Sequence, residues 1–168
     1  MRLLITALLA SALSATVHAA EAGKPPAATK DGDTAAVKAA IEAYVATFEK
    51  KDATAMGALL VRDPDVVNFG TDTAETWIGY DAVMASVVQQ FKAVERQKAM
   101  LRDLRVKMLA GGKVAVATYL LDWEGKSMGE PFAIKGLRAT TVLEMRSGRW
   151  LMVSSHNSIP VSGQAVKY

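Results

Sequence analysis

Cysteine does not occur in this 168-residue chain, and histidine occurs only twice, as His18 and His156. The first absence excludes disulfide scaffolds, thiolate zinc sites and thiol nucleophiles. The second excludes a multi-histidine metal centre, so no metal and no cofactor are expected. Charge of one sign is scarce as well: 20 Lys and Arg face 17 Asp and Glu, a formal net charge of only +3. The run Lys92, Arg96, Lys98, Arg102, Arg105 and Lys107 is broken by Glu95 and Asp103, and reads as a solvated surface rather than a polyanion site. No basic face stands out, and nucleic acid is not an expected partner. What is present is apolar: 51% of the residues are hydrophobic, enough for one domain with its own core and too much for disorder over most of the length.

The N-terminus has a pattern of its own. Met1-Arg2 is a short positive start, Leu3 to Val17 carries no charge, and Val17-His18-Ala19 ends in small residues. This reads as a secretory signal peptide over residues 1–19, cut after Ala19 or Ala20, and places the protein outside the cytoplasm, in the periplasm of a bacterial cell. The run is shorter than the roughly 20 residues of a membrane span, so stable membrane insertion is not expected. Removal of the leader leaves His156 as the one imidazole. Residues 20–33, including the stretch EAGKPPAATKDGD, are small, polar and Pro/Gly-containing, and read as a flexible linker. A domain over residues 34–160 and a short tail over 161–168 complete the chain.

Within that domain the hydrophobic period changes twice. Val37, Ile41, Tyr44, Val45 and Phe48 recur at helical steps, predicting a helix from Thr34 to Lys50 capped by Asp33 or Thr34. Asp52 reads as the cap of a shorter helix through Leu60. Short strands are expected at Val66–Gly70 and Thr76–Ile78, then a helix capped by Asp81 with a stripe of Val83, Met84, Val87, Val88, Phe91 and Val94. The remainder alternates as strands: one around Leu104, Val106 and Met108, then Val114–Glu124, Phe132–Arg146 and Arg149–Ser158. Gly125–Pro131 is expected as a loop and Ser147-Gly148 as a tight hairpin. The class is α+β: a single domain in which a curved antiparallel sheet wraps over three helices. Such a cone has an open mouth and a natural small-molecule cavity.

The element order, Trp77-Ile78-Gly79-Tyr80-Asp81 before the third helix, and the ending Arg138-Ala139-Thr140-Thr141-Val142, Ser147-Gly148-Arg149-Trp150 and His156-Asn157-Ser158 together resemble the SnoaL-like branch of the nuclear-transport-factor-2-like superfamily. The resemblance implies the cone fold and a homodimer. For function it implies a range: isomerases, dehydratases, epoxide hydrolases, polyketide cyclases and members without chemistry. Ketosteroid isomerisation, tested residue by residue, keeps one position of three. Tyr44 stands eight residues before the acidic cap Asp52, as that chemistry asks. The expected carboxylate base is Asn68, whose amide has no basic lone pair near neutral pH. The expected protonated aspartate is Thr141, a weaker donor.

His156 is then the one group with an ordinary pKa near neutrality, and the candidate general base. A regular two-residue hairpin would pair Met145 with Trp150, Leu143 with Met152, Thr141 with Ser154 and Ala139 with His156, turning Thr141 and His156 toward the cavity. Asp122 is the neighbouring carboxylate. The same register puts Arg138 on the opposite face with Thr140, Val142, Val153, Ser155 and Asn157; a bulge would turn it inward as a carboxylate clamp. The outer face, with Thr140, Val142, Leu151 and Val153, is apolar enough for dimerisation. Tyr44, Asn68, Trp77, Asp122, Arg138, Thr141 and His156 are the expected ligand contacts. Three roles fit: noncatalytic binding of a small, partly apolar molecule, which the residues favour; lyase or isomerase chemistry with His156 as base; and a homo-oligomerising association module with a vestigial pocket.

Overall fold

The computed structural model describes residues 30–163; the expected signal peptide, most of the linker and the end of the tail lie outside them. Helix α1 (Lys30–Lys50) starts four residues earlier than Thr34, and Asp33 lies in its first turn, where a carboxylate suits the positive end of a helix. Its stripe is as expected: Val37, Ile41, Tyr44 and Val45 are buried. In α2 (Ala53–Gly57) the Asp52 carboxylate accepts from the Ala55 N–H at 2.9 Å, a side-chain N-cap. This helix stops short of Leu60, which instead bridges to Met152.

Strands β1 (Val67–Phe69) and β2 (Thr76–Ile78) lead into α3 (Tyr80–Ala93), capped by Gly79 and not by Asp81. Gly79 has φ +87°, and a Cβ there would lie 3.2 Å from the Pro64 carbonyl oxygen, so only glycine turns the chain here without strain. Val83, Val87 and Phe91 are buried on α3, while Val88 is 38% exposed. Val94, expected on the helical stripe, instead opens β3 (Val94–Leu109).

Three long strands follow: β4 (Val114–Ser127), β5 (Glu130–Arg146) and β6 (Arg149–Ser158). The expected loop over Gly125–Pro131 is a correction. β4 and β5 run to Ser127 and Glu130, joined by Met128-Gly129, where φ is +52° and +87°. Positive φ at both loop residues is the tight hairpin that matches strand twist, and Ser147-Gly148 repeats it at +50° and +79°. The six strands form one curved sheet in the order β2-β1-β6-β5-β4-β3. Because β1 runs parallel to β6, the sheet is mixed rather than wholly antiparallel.

Two irregularities bend the sheet. Between Leu121 and Trp123 of β4 the ladder skips from Leu137 to Ile134 on β5, with Gly136 at φ +66°, a conformation that favours glycine in a bulge. The second lies in the last hairpin. Leu143 pairs with Met152, but Val142 pairs with Ser154, leaving Val153 as an extra residue. Beyond it every residue of β6 changes face. Thr141 stands opposite Ser155, and Thr140 opposite His156, which corrects the expected register. The cause is a tie at Met152, whose N–H donates to the Leu59 carbonyl at 2.8 Å while its carbonyl accepts from the Val61 N–H at 3.0 Å.

Leu143 is fully buried beside this step. Leu143→Ala is expected to lower the unfolding free energy in urea by about 2–5 kcal/mol. Val88→Ala, on the solvent side of α3, should change it by no more than about 0.5 kcal/mol. Equal losses at the two positions would contradict the packing described.

Candidate functional site

The sheet curls around α1 and α3 and leaves a cavity of about 100 Å³ between them. Its apolar wall comes from every layer: Tyr44 and Phe48 of α1, Val87 of α3, Leu121 and Trp123 of β4, and Leu137 of β5. The aromatic rings meet edge to face. Centroids lie 5.2 Å apart for Tyr44 and Phe48 and 5.8 Å for Phe48 and Trp123, the geometry that ring quadrupoles prefer. One relay holds this wall: the Trp123 indole N–H donates to Gln97 Oε1 at 3.0 Å, and Gln97 Nε2 donates to the Phe48 carbonyl at 2.6 Å.

The opposite wall is polar. Asn68 of β1 and Ser155 of β6 are direct partners in the parallel ladder and both line the cavity, with Asn157 following on β6 and Trp77 opposite Asn68 on β2. Ser86 and Gln90 reach the same space from α3, but the Ser86 hydroxyl is turned back to the Val83 carbonyl at 2.8 Å. The loop between β1 and β2 closes one side. There Glu75 Oε2 accepts from the Thr71 N–H, from the Thr71 hydroxyl at 3.1 Å and from the Asp72 N–H at 3.3 Å. Asp72 in turn accepts from the Ala74 N–H at 2.8 Å, an Asx turn.

Of the expected site residues, the structure brings Tyr44, Asn68 and Trp77 together on the cavity. The other four lie elsewhere. His156 is exposed on the outer face, its ring edge-on to Phe69 at 5.7 Å; the Val153 bulge reverses the face it was expected to occupy. Arg138 is exposed on that outer face too, between Leu120 and Ser158 in the ladders. Asp122 pins the other bulge: it accepts from Arg102 at 2.8 Å and from the Gly136 N–H at 2.9 Å, and the guanidinium holds its carboxyl below the ordinary aspartate range. Thr141 is fully buried in the core and shares a 3.0 Å hydrogen bond with the Tyr119 hydroxyl.

Ser155, Asn157, Gln90 and Glu75 enter the site without having been expected. The β6 pair was hidden by the register step. Ser86 and Gln90 carried a readable signal, a polar pair one helical turn apart beside an apolar stripe.

Chemically, the cavity is close to neutral. Tyr44 and Glu75 are the titratable groups on its lining. Burial pushes the Tyr44 phenol well above its ordinary range, and nearby Tyr119 adds to the shift, so at neutral pH Tyr44 is a hydrogen-bond donor and no base. Its hydroxyl has no hydrogen-bond partner among the described residues. Glu75 Oε2 is engaged by its own loop. Among the described residues no group of three or more carboxylates and imidazoles is placed to hold a metal.

These tyrosines give the site a spectroscopic signature. Burial also raises Tyr119, to about 12, against a lowering by its hydrogen bond with Thr141. A folded-state pKa above the unfolded value of about 10 leaves stability intact below pH 10 and removes it as pH rises further. In a 295 nm titration, Tyr44 and Tyr119 should stay un-ionised past pH 11 until the protein unfolds. Tyr44→Phe should therefore leave the absorbance gained by pH 11 unchanged, yet lower the total gained in denaturant. A loss already visible in the folded protein would contradict the burial of Tyr44.

Comparison with known proteins agrees with this architecture. Among curated proteins, none matches the chain in sequence. The fold is shared with a candidate dehydratase of the nuclear-transport-factor-2-like family from Streptomyces avermitilis, at 20% identity and TM-score 0.73 over 80% of this chain and 100% of that one. It is shared equally with a nuclear-transport-factor-2-like superfamily protein from Salmonella enterica serovar Typhimurium, at 16% identity and TM-score 0.73 over 83% and 100%. A candidate calcium/calmodulin-dependent protein kinase type II association domain from Thiobacillus denitrificans, at 24% identity, follows with TM-score 0.62 over 74% and 94%. The model of the SnoaL-like domain matches residues 37–162, and the chain thus belongs to the SnoaL-like domain family.

Proposed function

We propose that this protein is an exported, noncatalytic binder of a small, partly apolar molecule held in the cavity. The observation that carries the reading is the lining itself: aromatic rings together with uncharged polar side chains, no imidazole, and a single carboxylate, Glu75, tied to its own loop. Tyr44 is held protonated, Glu75 Oε2 serves its loop, and Asn68 occupies the place a proton-shuttling carboxylate would need. His156, the alternative base, stands on the outer face of the sheet. Export rests on the leader pattern of residues 1–19, and N-terminal sequencing of the secreted form should begin at Ala20 or Glu21. Intact Met1 in the cytosol would end that part of the reading.

A homodimer through the outer face belongs to the same proposal. One row crosses that face as Lys107, Val116, Val142, Ser154, Val67 and Ile78, and Ile78 is 62% exposed. With Leu120 and Leu151 alongside, this is more contiguous apolar surface than a solvated sheet face usually carries. Val142→Lys should turn a dimer in light scattering into a monomer; a wild-type monomer at micromolar concentration would remove the claim.

The cavity is tested by filling it. Trp77 and Trp123 line it, so uptake of a small aromatic compound should quench tryptophan fluorescence. Val87→Phe puts a ring into the same space and should weaken uptake more than tenfold with the fold retained. Uptake that is unaffected by the larger side chain would place the ligand elsewhere.

A further inference from the structure

Ser155 is 95% buried, lines the cavity, and its hydroxyl has no hydrogen-bond partner among the described residues. A buried hydroxyl left unpaired is costly, and native structures rarely keep one without a use. It is not left over from a loop or a chain end. The bulge at Val153 aims it inward, and the parallel ladder sets it directly beside Asn68. The Asn68 amide likewise has no partner among the described residues. Two adjacent side chains, each able both to donate and to accept, thus face a wall made of rings.

We infer that Ser155 and Asn68 form a seat for the polar oxygen of an uncharged one-ring ligand, a phenol or a cyclic ketone; this rests on the binding role proposed above. Charge is decided by the lining: no lysine, arginine or histidine is among its residues, and the one carboxylate present is Glu75. An anionic ligand would lose its hydration with no cation to replace it. Size is decided by volume. An engineered cavity of about 150 Å³ in another protein takes up one benzene, so roughly 100 Å³ leaves space for no more than a single ring, with any substituent directed to the mouth. The oxygen end is decided by the side chains, because Ser155 and Asn68 are ladder partners on β6 and β1 while Phe48 and Trp123 come from α1 and β4.

The test compares p-cresol, toluene and 4-methylbenzoate on the full folded chain by calorimetry or tryptophan quenching. Wild type should bind p-cresol about five- to tenfold more tightly than toluene, the worth of one hydrogen bond, and 4-methylbenzoate least. Ser155→Ala should bring p-cresol to the level of toluene and leave toluene unchanged, while the unliganded variant melts at the same or a slightly higher temperature because the unpaired hydroxyl is gone. Asn68→Ala, read in parallel, should erode the same preference and serves if Ser155→Ala fails to fold. A preference that survives both substitutions, which is what a water serving Ser155 would give, overturns the inference and leaves the binding role standing. So does 4-methylbenzoate binding as tightly as p-cresol. If neither neutral probe binds, the one-ring class is overturned, and uptake of larger compounds with its sensitivity to Val87→Phe decides the binding role separately.

Discussion

Met152 is held from both sides, and the character of the cavity depends on that grip. On one edge its N–H and carbonyl are bonded to Leu59 and Val61; on the other it pairs with Leu143 of β5. Beta-strand alternation is strict, so a strand fixed at one residue can change which face it presents only by gaining or losing a residue. Val153 is that gained residue. Its insertion carries Ser155 and Asn157 to the inside and His156 to the outside, replacing a titratable ring on the cavity wall with a neutral hydroxyl and amide. Which side chains of β6 face the cavity therefore rests on one unpaired residue, far in sequence from the segment that holds Met152 in place.

The second bulge works differently. There the gained residue is on β5, Gly136 adopts the left-handed backbone, and Asp122 fixes the arrangement by accepting its N–H while paired with Arg102. The pair is part-buried, with side chains 39% and 17% exposed for Arg102 and Asp122, and its geometric effect is large. On β5 the gained residue lets Leu137 and Ile134, three positions apart, stand opposite Leu121 and Trp123 of β4, and Trp123 completes the ring cluster over Phe48. Asp122 thus shapes the cavity without touching it. A carboxylate that looks like an active-site partner in the linear chain acts here as the clip of a bend.

Legibility in the sequence follows the range of the forces involved. The α1 stripe was readable because Val37, Ile41, Tyr44 and Val45 obey a helical period that no distant contact overrides. The Ser147-Gly148 hairpin was readable from its turn residues; Met128-Gly129 was not, because methionine at positive φ carries no turn signature and only the pairing of its flanking strands holds it there. Tyr44 could be placed from the α1 stripe it belongs to, whereas Asn68 was reached only through the family resemblance. Thr141 was placed on the correct face but not at the correct depth: whether an inward residue reaches the cavity or is sealed beneath it depends on the Tyr119 ring packed against it. His156 and Ser155 could not be assigned from local pattern at all, since the bulge that separates their fates is dictated by a long-range backbone tie.

The polar wall also shows how binding capacity and stability oppose one another in a fold of this kind. Filling the space beside Ser155 and Asn68 with apolar side chains would satisfy the core, and an unpaired buried hydroxyl costs about 1–3 kcal/mol relative to that alternative. The rest of the domain offsets such a cost through long ladders, the α1 stripe and two tight hairpins, most of whose residues lie outside the cavity lining. Separation of this sort lets the lining vary while the frame persists, which is why shared fold with a candidate dehydratase and with a candidate association domain carries so little information about chemistry. In this chain the lining has a phenol held protonated, a carboxylate occupied by its own loop, and two uncharged groups whose hydrogen-bonding capacity the protein itself leaves unused. Such a set is the chemical basis of the binding role proposed for the cavity.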